Sequence, residues 1–205
     1  MAAPLEWNRS ALLLTDAQHA YLDPGLEQAC AQLAAIFRRA GRPIVHVVRL
    51  QSPADPSPIA APTPGSTGGL IPPSILDHDD QRRFHPTVIT GGIVQVGAGE
   101  FMVWRPRWSA LLRTRLDGHL AALGVTTVVV AGGDYRVGPR ATLSDATAYD
   151  YRALAIADAC GGFTSADAED AAAIGAHVAA VEMVERALAR PREDSRAGRD
   201  TGPSA

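Results

Sequence analysis

The chain has 205 residues, 46% of them hydrophobic, and a formal net charge of −3. That size suits one domain with one core, and a mildly acidic chain without a basic stripe is a poor partner for nucleic acid or acidic membranes. No apolar run is long enough to span a bilayer, and the opening MAAPLEWNRS lacks the pattern of a signal peptide, so a cytoplasmic location is expected.

All 19 basic residues are arginine. The absence of lysine rules out a Walker-type phosphate loop, a pyridoxal Schiff base and a lysine general base. Cys30 and Cys160 have no CxxC or Cys/His ligand spacing and are expected to be buried thiols rather than a disulfide.

In chain order, Ser10 to Asp16 is an apolar run that ends in a carboxylate, which reads as a buried strand with polar chemistry at its C-terminal end. Leu26 to Arg39 has helical spacing and stops at Gly41-Arg42-Pro43. Further strands are expected at Ile44–Leu50, Phe101–Trp104, Thr126–Ala131, Ala153–Ala157 and Val178–Val181. Helices are expected at Ser109–Leu123, Arg140–Tyr151 and Ala166–Gly175. This alternation predicts an α/β fold: βαβ units around a mostly parallel sheet with right-handed crossovers. Residues 51–99 interrupt it with Pro, Gly, Ser and Asp, forming a long connection and a candidate lid. Within it Thr87–Val96 has the pattern of a small hairpin around Gly91-Gly92. One domain is expected over 1–190, with a disordered polar tail over 191–205.

Parallel sheets bind ligands beyond the carboxyl ends of their strands. Asp16, Arg105 and the Gly132–Gly138 loop all fall at such ends. A carboxylate closing an apolar strand is costly to bury unless it is used or well bonded. In AGGDYRVGPR two glycines permit a tight turn, and Pro139 suits the first turn of a helix whose free N–H groups near Gly138 would stabilise an anion. The competing reading is an ordinary strand-to-helix connection. Arg105 and Arg107 flank Pro106, and Ser109 fits a helix N-cap. An arginine facing the same cleft as Asp16 would clamp a carboxylate or oxyanion. Trp104, Trp108, Phe101 and Tyr135 are candidate aromatic walls, with core packing around the third strand as the alternative for the first three. His19, His78 and His85 are weak candidates for the pocket or its lid. No G-x-S-x-G elbow is present.

These segments resemble the isochorismatase-like, or cysteine hydrolase, superfamily. ALLLTDAQHAYLDP is similar to its opening strand, with Asp16 followed two residues later by Gln18. RPRWSAL is similar to its lysine-proline-arginine motif. AGGDYRVGPRATLSDATAYDYR is similar to the segment in which a cysteine begins a helix, with Thr142, Asp145 and Ala146 in register. ALAIADACGGFT fits the following strand, with Asp158 and Ala159. The resemblance runs in order from about Ser10 to Leu188. It implies a Rossmann-like three-layer α/β/α sandwich, a homo-oligomer and a small-molecule substrate.

Carried over by position, the family's aspartate, lysine and cysteine are Asp16, Arg105 and Gly138. The thiol nucleophile is absent, so the thioester route of amidases is expected to be closed. The aspartate-x-histidine metal motif found in some members is replaced by Arg49-Leu50-Gln51. Neither a metal nor a cofactor is therefore expected. True isochorismatases also have glycine at the cysteine position and hydrolyse a vinyl ether without a nucleophilic side chain. The resemblance thus implies acid/base chemistry by Asp16, with Arg105 holding anionic charge. Substrate contacts are expected from Gln18, Gly133, Asp134, Tyr135, Arg136, Gly138 and Trp104, with plain loop surface as the alternative for Asp134, Tyr135 and Arg136, and the resemblance implies a cis peptide near Gly133–Asp134. A scaffold without its nucleophile is also open to other reactions, including steps of specialised biosynthesis. The alternative is a catalytically lapsed member that serves as a binding or assembly subunit.

Overall fold

The computed structural model describes residues 4–18, 22–49 and 92–189. A 3-10 turn at Trp7–Arg9 leads into β1 (Ser10–Thr15), whose six residues are all buried. They alternate between faces as a strand's period of two requires. Ala11 and Leu13 enter one core, and Leu12 and Leu14 enter the other. β1 therefore lies in the middle of the fold, covered on both sides.

Asp23 opens α1 (Pro24–Arg39): its side chain accepts from the Leu26 N–H at 2.9 Å, and Pro24 takes the first helical position. Leu26, Cys30, Leu33 and Phe37 recur at helical spacing and pack on the Leu12/Leu14 face. β2 (Ile44–Val48), β3 (Ile93–Gly97) and β4 (Glu100–Trp104) follow. The hairpin observed is β3–β4, turning at Ala98-Gly99 with Gly99 at φ +73. The expected hairpin around Gly91-Gly92 falls partly outside the described residues.

Helix α2 is shorter than its pattern suggested, spanning Leu116–Ala122 rather than starting at Ser109. Arg113 lies at φ 59, which ends any helix through it. Ser109 Oγ accepts from the Leu111 N–H at 3.1 Å, and Thr114 Oγ1 donates to the Ala110 carbonyl at 2.6 Å. Local side-chain bonds thus replace the helical ladder there. Next come β5 (Thr127–Asp134), α3 (Gly138–Ala148), β6 (Arg152–Gly161) and α4 (Ser165–Ala173), the last opened by a Thr164/Asp167 capping box. β7 (His177–Ala179) ends two residues earlier than expected because Val181 already begins α5 (Val181–Ala189). Asp158 Oδ1 accepts the Val181 N–H at 3.0 Å.

The seven strands run in the order β3-β4-β2-β1-β5-β6-β7, parallel except for β3 against β4. Helices α1 and α5 pack on one face, and α2, α3 and α4 on the other. The three-layer α/β/α sandwich is therefore as expected. The chain leaves β1 toward β2 and later returns to the other side of β1 as β5. The crevice between the C-terminal ends of β1 and β5 is thus the topological switch point, where such sheets bind ligands. Both cysteines are buried and free.

At the other end of β4 lies a buried polar cluster. Glu100 receives Arg38 Nε at 2.5 Å and Arg38 Nη2 at 2.8 Å, and its Oε2 is 3.1 Å from His46 Nε2. Burial alone would raise the Glu100 carboxyl, but Arg38 and His46 outweigh it and hold it at about 2. A carboxyl depressed in the folded state stabilises fully above its unfolded value and loses that contribution as pH falls through the folded one. Wild-type stability should therefore fall between about pH 4.5 and pH 2, and Glu100→Gln should be less stable at pH 7 by about 2 kcal/mol, a gap that closes toward pH 2. Urea denaturation across pH reads this directly, and a gap unchanged at pH 2 would refute it.

Gly132 is needed for β1 and β5 to pack. It sits at φ +115, and a Cβ there would lie 2.0 Å from the Thr15 carbonyl oxygen. No side-chain adjustment relieves a clash with backbone. Gly132→Ala should cost more than about 3 kcal/mol in the same denaturation experiment.

Candidate active site

β1 ends at Thr15, and the chain turns at Asp16 with φ 52, a conformation that aspartate tolerates better than most residues. The Asp16 N–H donates to the Val47 carbonyl at 2.9 Å, and its own carbonyl accepts from the Gln18 N–H at 2.8 Å. This turn carries the carboxylate into the crevice above the sheet. Asp16 is only 3% exposed.

Arg105 follows β4, two strands away across β2. Its N–H donates to the Val48 carbonyl at 3.0 Å, so the backbone leaves β4 in register. Two strand spacings are roughly 10 Å, which the long arginine side chain spans over the end of β2. Arg105 Nε donates to Asp16 Oδ1 at 2.9 Å and Nη2 donates to Asp16 Oδ2, forming a bidentate ion pair. Nη1 donates to the Arg107 carbonyl at 2.6 Å, which locks the guanidinium plane. The expectation was an arginine facing the same cleft as Asp16. The structure has it gripping Asp16 itself.

The third side of the crevice is the β5–α3 loop. A Cβ on Gly133 would come 3.0 Å from Asp16 Cβ. One on Gly138 would come 3.2 Å from Asp16 Oδ2 and 3.4 Å from Arg105 Nη2. Backbone therefore packs directly against the ion pair. Gly138 begins α3 with Pro139 behind it, and Val137 before it supplies no side-chain cap. The three positions singled out in the sequence, Asp16, Arg105 and Gly138, thus meet at one point.

Other expected contacts are placed differently. Tyr135 is fully buried in the opposite direction, with its ring edge-on to Phe163 at 4.7 Å and its hydroxyl donating to the Asp167 carbonyl at 3.4 Å. It belongs to the core, and burial pushes its hydroxyl up to about 12. The Tyr135 N–H bonds the Gly161 carbonyl at 2.8 Å, which fixes this direction. Arg136 pairs with Asp167 at 3.3 Å, with its side chain largely exposed. Asp134 Oδ1 accepts the Arg136 N–H at 3.0 Å, a turn-forming bond. Gln18 is fully buried, and its amide spans both polar groups of the Arg49 backbone, accepting at 2.9 Å and donating at 3.1 Å. That bond ties the loop after β1 to the end of β2. Trp104 packs half-buried with Val48 and Met102. Phe101 faces His119 at 4.4 Å, and Trp108 is surface-exposed.

The cis peptide expected near Gly133–Asp134 is not formed; the described peptide bonds are all trans. The turn is made instead by Gly132 at its positive φ and by register shifts of β5 against β6 at Gly132 and Asp134. One link escaped the sequence reading. Thr142 Oγ1 on α3 accepts the Ala110 N–H at 3.0 Å, joining the helix behind Gly138 to the segment behind Arg105. A buried threonine on a helix facing a loop was the only signal for it.

Among the described residues no group of three or more His, Cys, Asp or Glu side chains is arranged to hold a metal ion, and no helix is long and apolar enough to cross a membrane. Arg49 is described, but Leu50, Gln51, His19, His78 and His85 lie outside the described residues.

Known proteins bear on the same crevice. Residues 10–186 match the isochorismatase domain. The chain is 27% identical over 171 residues to the ureidoacrylate amidohydrolase RutB of Methylobacterium radiotolerans, covering 72% of this chain and 65% of that relative's length. An isochorismatase family protein from Desulfovibrio vulgaris is similar in structure, with a TM-score of 0.60 and 26% identity over 89% of this chain and 99% of that one. The N-carbamoylsarcosine amidase of Thermoplasma acidophilum shares the fold, with a TM-score of 0.62 and 23% identity over 85% of this chain and 97% of that one. The domain match extends from the first residue of β1 into α5 and takes in every element that borders the crevice, and on that ground the chain belongs to the isochorismatase family.

Proposed function

We propose that the protein is a hydrolase of the isochorismatase family that acts on a small carboxylate-bearing metabolite by acid/base chemistry without a thiol nucleophile. The observation that carries this reading is the Asp16–Arg105 pair lying against Gly138, the position at which glycine offers no thiol. Proton transfer and charge stabilisation are what these groups can supply.

The pair has a resting and a working arrangement in this reading. At rest both Asp16 oxygens accept from Arg105. A substrate carboxylate competes for the same guanidinium, and the bond it takes frees an Asp16 oxygen. The freed oxygen takes a proton from water as the substrate binds, and Asp16 delivers that proton to the alkene carbon of a vinyl ether. Water adds to the resulting oxocarbenium ion and loses a proton, which returns to Asp16. The hemiketal collapses to a carbonyl compound and an alcohol. Arg105 holds negative charge throughout and moves no proton. The same parts serve related non-thioester reactions.

A second reading, a non-catalytic binding or assembly subunit, is favoured by the way Asp16 and Arg105 satisfy one another. The two readings separate in one experiment. Thermal-shift screening of vinyl ethers, aromatic carboxylates and amides finds ligands without assuming a reaction. A carboxylate at 100 times its dissociation constant should raise stability by about 2.7 kcal/mol, and its methyl ester should not. Equal stabilisation by acid and ester would remove Arg105 as the anion clamp.

Asp16→Asn should abolish turnover of that ligand. It should also lower stability by about 3 kcal/mol while the protein stays folded, because it leaves a buried guanidinium without its counter-charge. Unchanged turnover would end the acid/base role. Binding without consumption by the wild type would favour the non-catalytic reading.

A further inference from the structure

We infer that Gly138 is a positioning residue for the Asp16–Arg105 pair, and that positions 105 and 138 are coupled because the carboxylate that Arg105 pins in place lies against the volume a side chain at 138 would need. This inference rests on the proposed role of Arg105 but is tested without turnover, so the two can fail separately.

The argument is steric. The Gly138 backbone is not in the left-handed region, so nothing in its conformation calls for glycine. What calls for glycine is the neighbourhood. An added Cβ would sit 3.2 Å from Asp16 Oδ2, 3.4 Å from Arg105 Nη2 and 3.6 Å from Arg105 Cζ, against the flat side of the ion pair. A flexible side-chain tip would move aside, but these atoms cannot. Asp16 has both oxygens bonded, and its backbone is tied to Val47. Arg105 is bonded through Nε, Nη1 and Nη2, and its backbone is tied to Val48. Nor can α3 back away, because Thr142 holds it to Ala110 and its first turn follows directly from the β5 loop.

Lysine at 105 changes the problem. It presents one compact ammonium instead of a planar fork and leaves the space beside Asp16 Oδ2 partly open. A side chain at 138 is therefore compatible with lysine at 105 and crowded by arginine. The inner wall of the crevice is thus a guanidinium face, and residue 138 selects which cation can form it.

The test is a double-mutant cycle over Gly138→Ala and Arg105→Lys, read by thermal unfolding and by the 15N–1H resonance of the Arg105 Nε–H. Gly138→Ala should lower the wild-type midpoint by about 3 °C. In the Arg105→Lys background Asp16 Oδ2 loses its Nη2 partner and can yield to the methyl group, so the same alanine should cost less, giving non-additivity of about 2 °C. The Nε–H resonance assigned to Arg105 by its loss in Arg105→Lys should shift or vanish in Gly138→Ala. The Arg38 Nε–H, bound to Glu100 at the far end of β4, should stay in place as the control. Additive losses, an unmoved Arg105 resonance, or no cost of alanine in the arginine background would each overturn the inference. If Gly138→Ala fails to fold, recovery of folding in the double variant supports it, and failure of both variants overturns it.

Discussion

Two opposite charges almost fully removed from water set the conditions for the rest of this structure. Leaving either Asp16 or Arg105 buried alone would cost several kcal/mol, so each requires the other in register. That requirement reaches far into the sheet. β1 must end where it does, so that Asp16 turns up out of the plane. β4 must lie two strands away, within an arginine's length. β5 must return beside β1 with glycine at 132 and 133, because side chains there would strike Thr15 and Asp16. The ion pair is therefore a joint between three non-consecutive parts of the chain, and the crevice around it is a consequence of the strand order.

β4 carries ionic chemistry at both ends, and the contrast between them is instructive. At its start Glu100 binds Arg38 of α1 and His46 of β2. Beyond its end Arg105 binds Asp16. Both clusters are largely buried and both tie β4 to distant elements. They differ in position relative to the sheet. The Glu100 cluster lies at the end where parallel strands begin, which ligands seldom use. The Asp16 cluster lies where strands end and loops with free backbone groups converge. The first is read as a tie between α1 and the sheet, and the second as a candidate centre of chemistry, on that positional ground.

The parallel strands, the layers and the convergence of Asp16, Arg105 and Gly138 were legible in the sequence because each depends on periodicity or on a strand end, whereas β3 and its hairpin with β4 were not. Nor was side-chain direction in the loops. Tyr135 stands one residue past the β5 strand, and the register shifts at Gly132 and Asp134 turn it into the core, away from the crevice. Gln18 looked like a polar contact for substrate, yet a buried amide opposite an unpaired strand end is drawn to backbone, and Arg49 supplies both partners. Residues 109–115 had apolar spacing suited to a helix. Serine and threonine hydroxyls there compete for the same backbone groups, and Arg113 enters the left-handed region. The departures at Tyr135 and Gln18 are decided by hydrogen bonds between distant segments, which a single sequence does not display, and the one at 109–115 by local side-chain bonds.

The replacement of an amine by a guanidinium bears on which reactions the proposed site can run. An amine beside a carboxylate can share and pass on a proton. A guanidinium keeps its protons near neutrality and offers direction and charge instead. With arginine at 105 and no side chain at 138, Asp16 is the group among Asp16, Arg105 and Gly138 that can move a proton in the proposed reading. The proposed function accordingly excludes covalent acyl transfer through a thiol and rests on chemistry that begins with protonation at carbon. The reaction classes that remain are those in which the substrate brings its own leaving group and its own anion. In the proposed reading the anion docks first, and the leaving group departs only after carbon has been protonated and water has added.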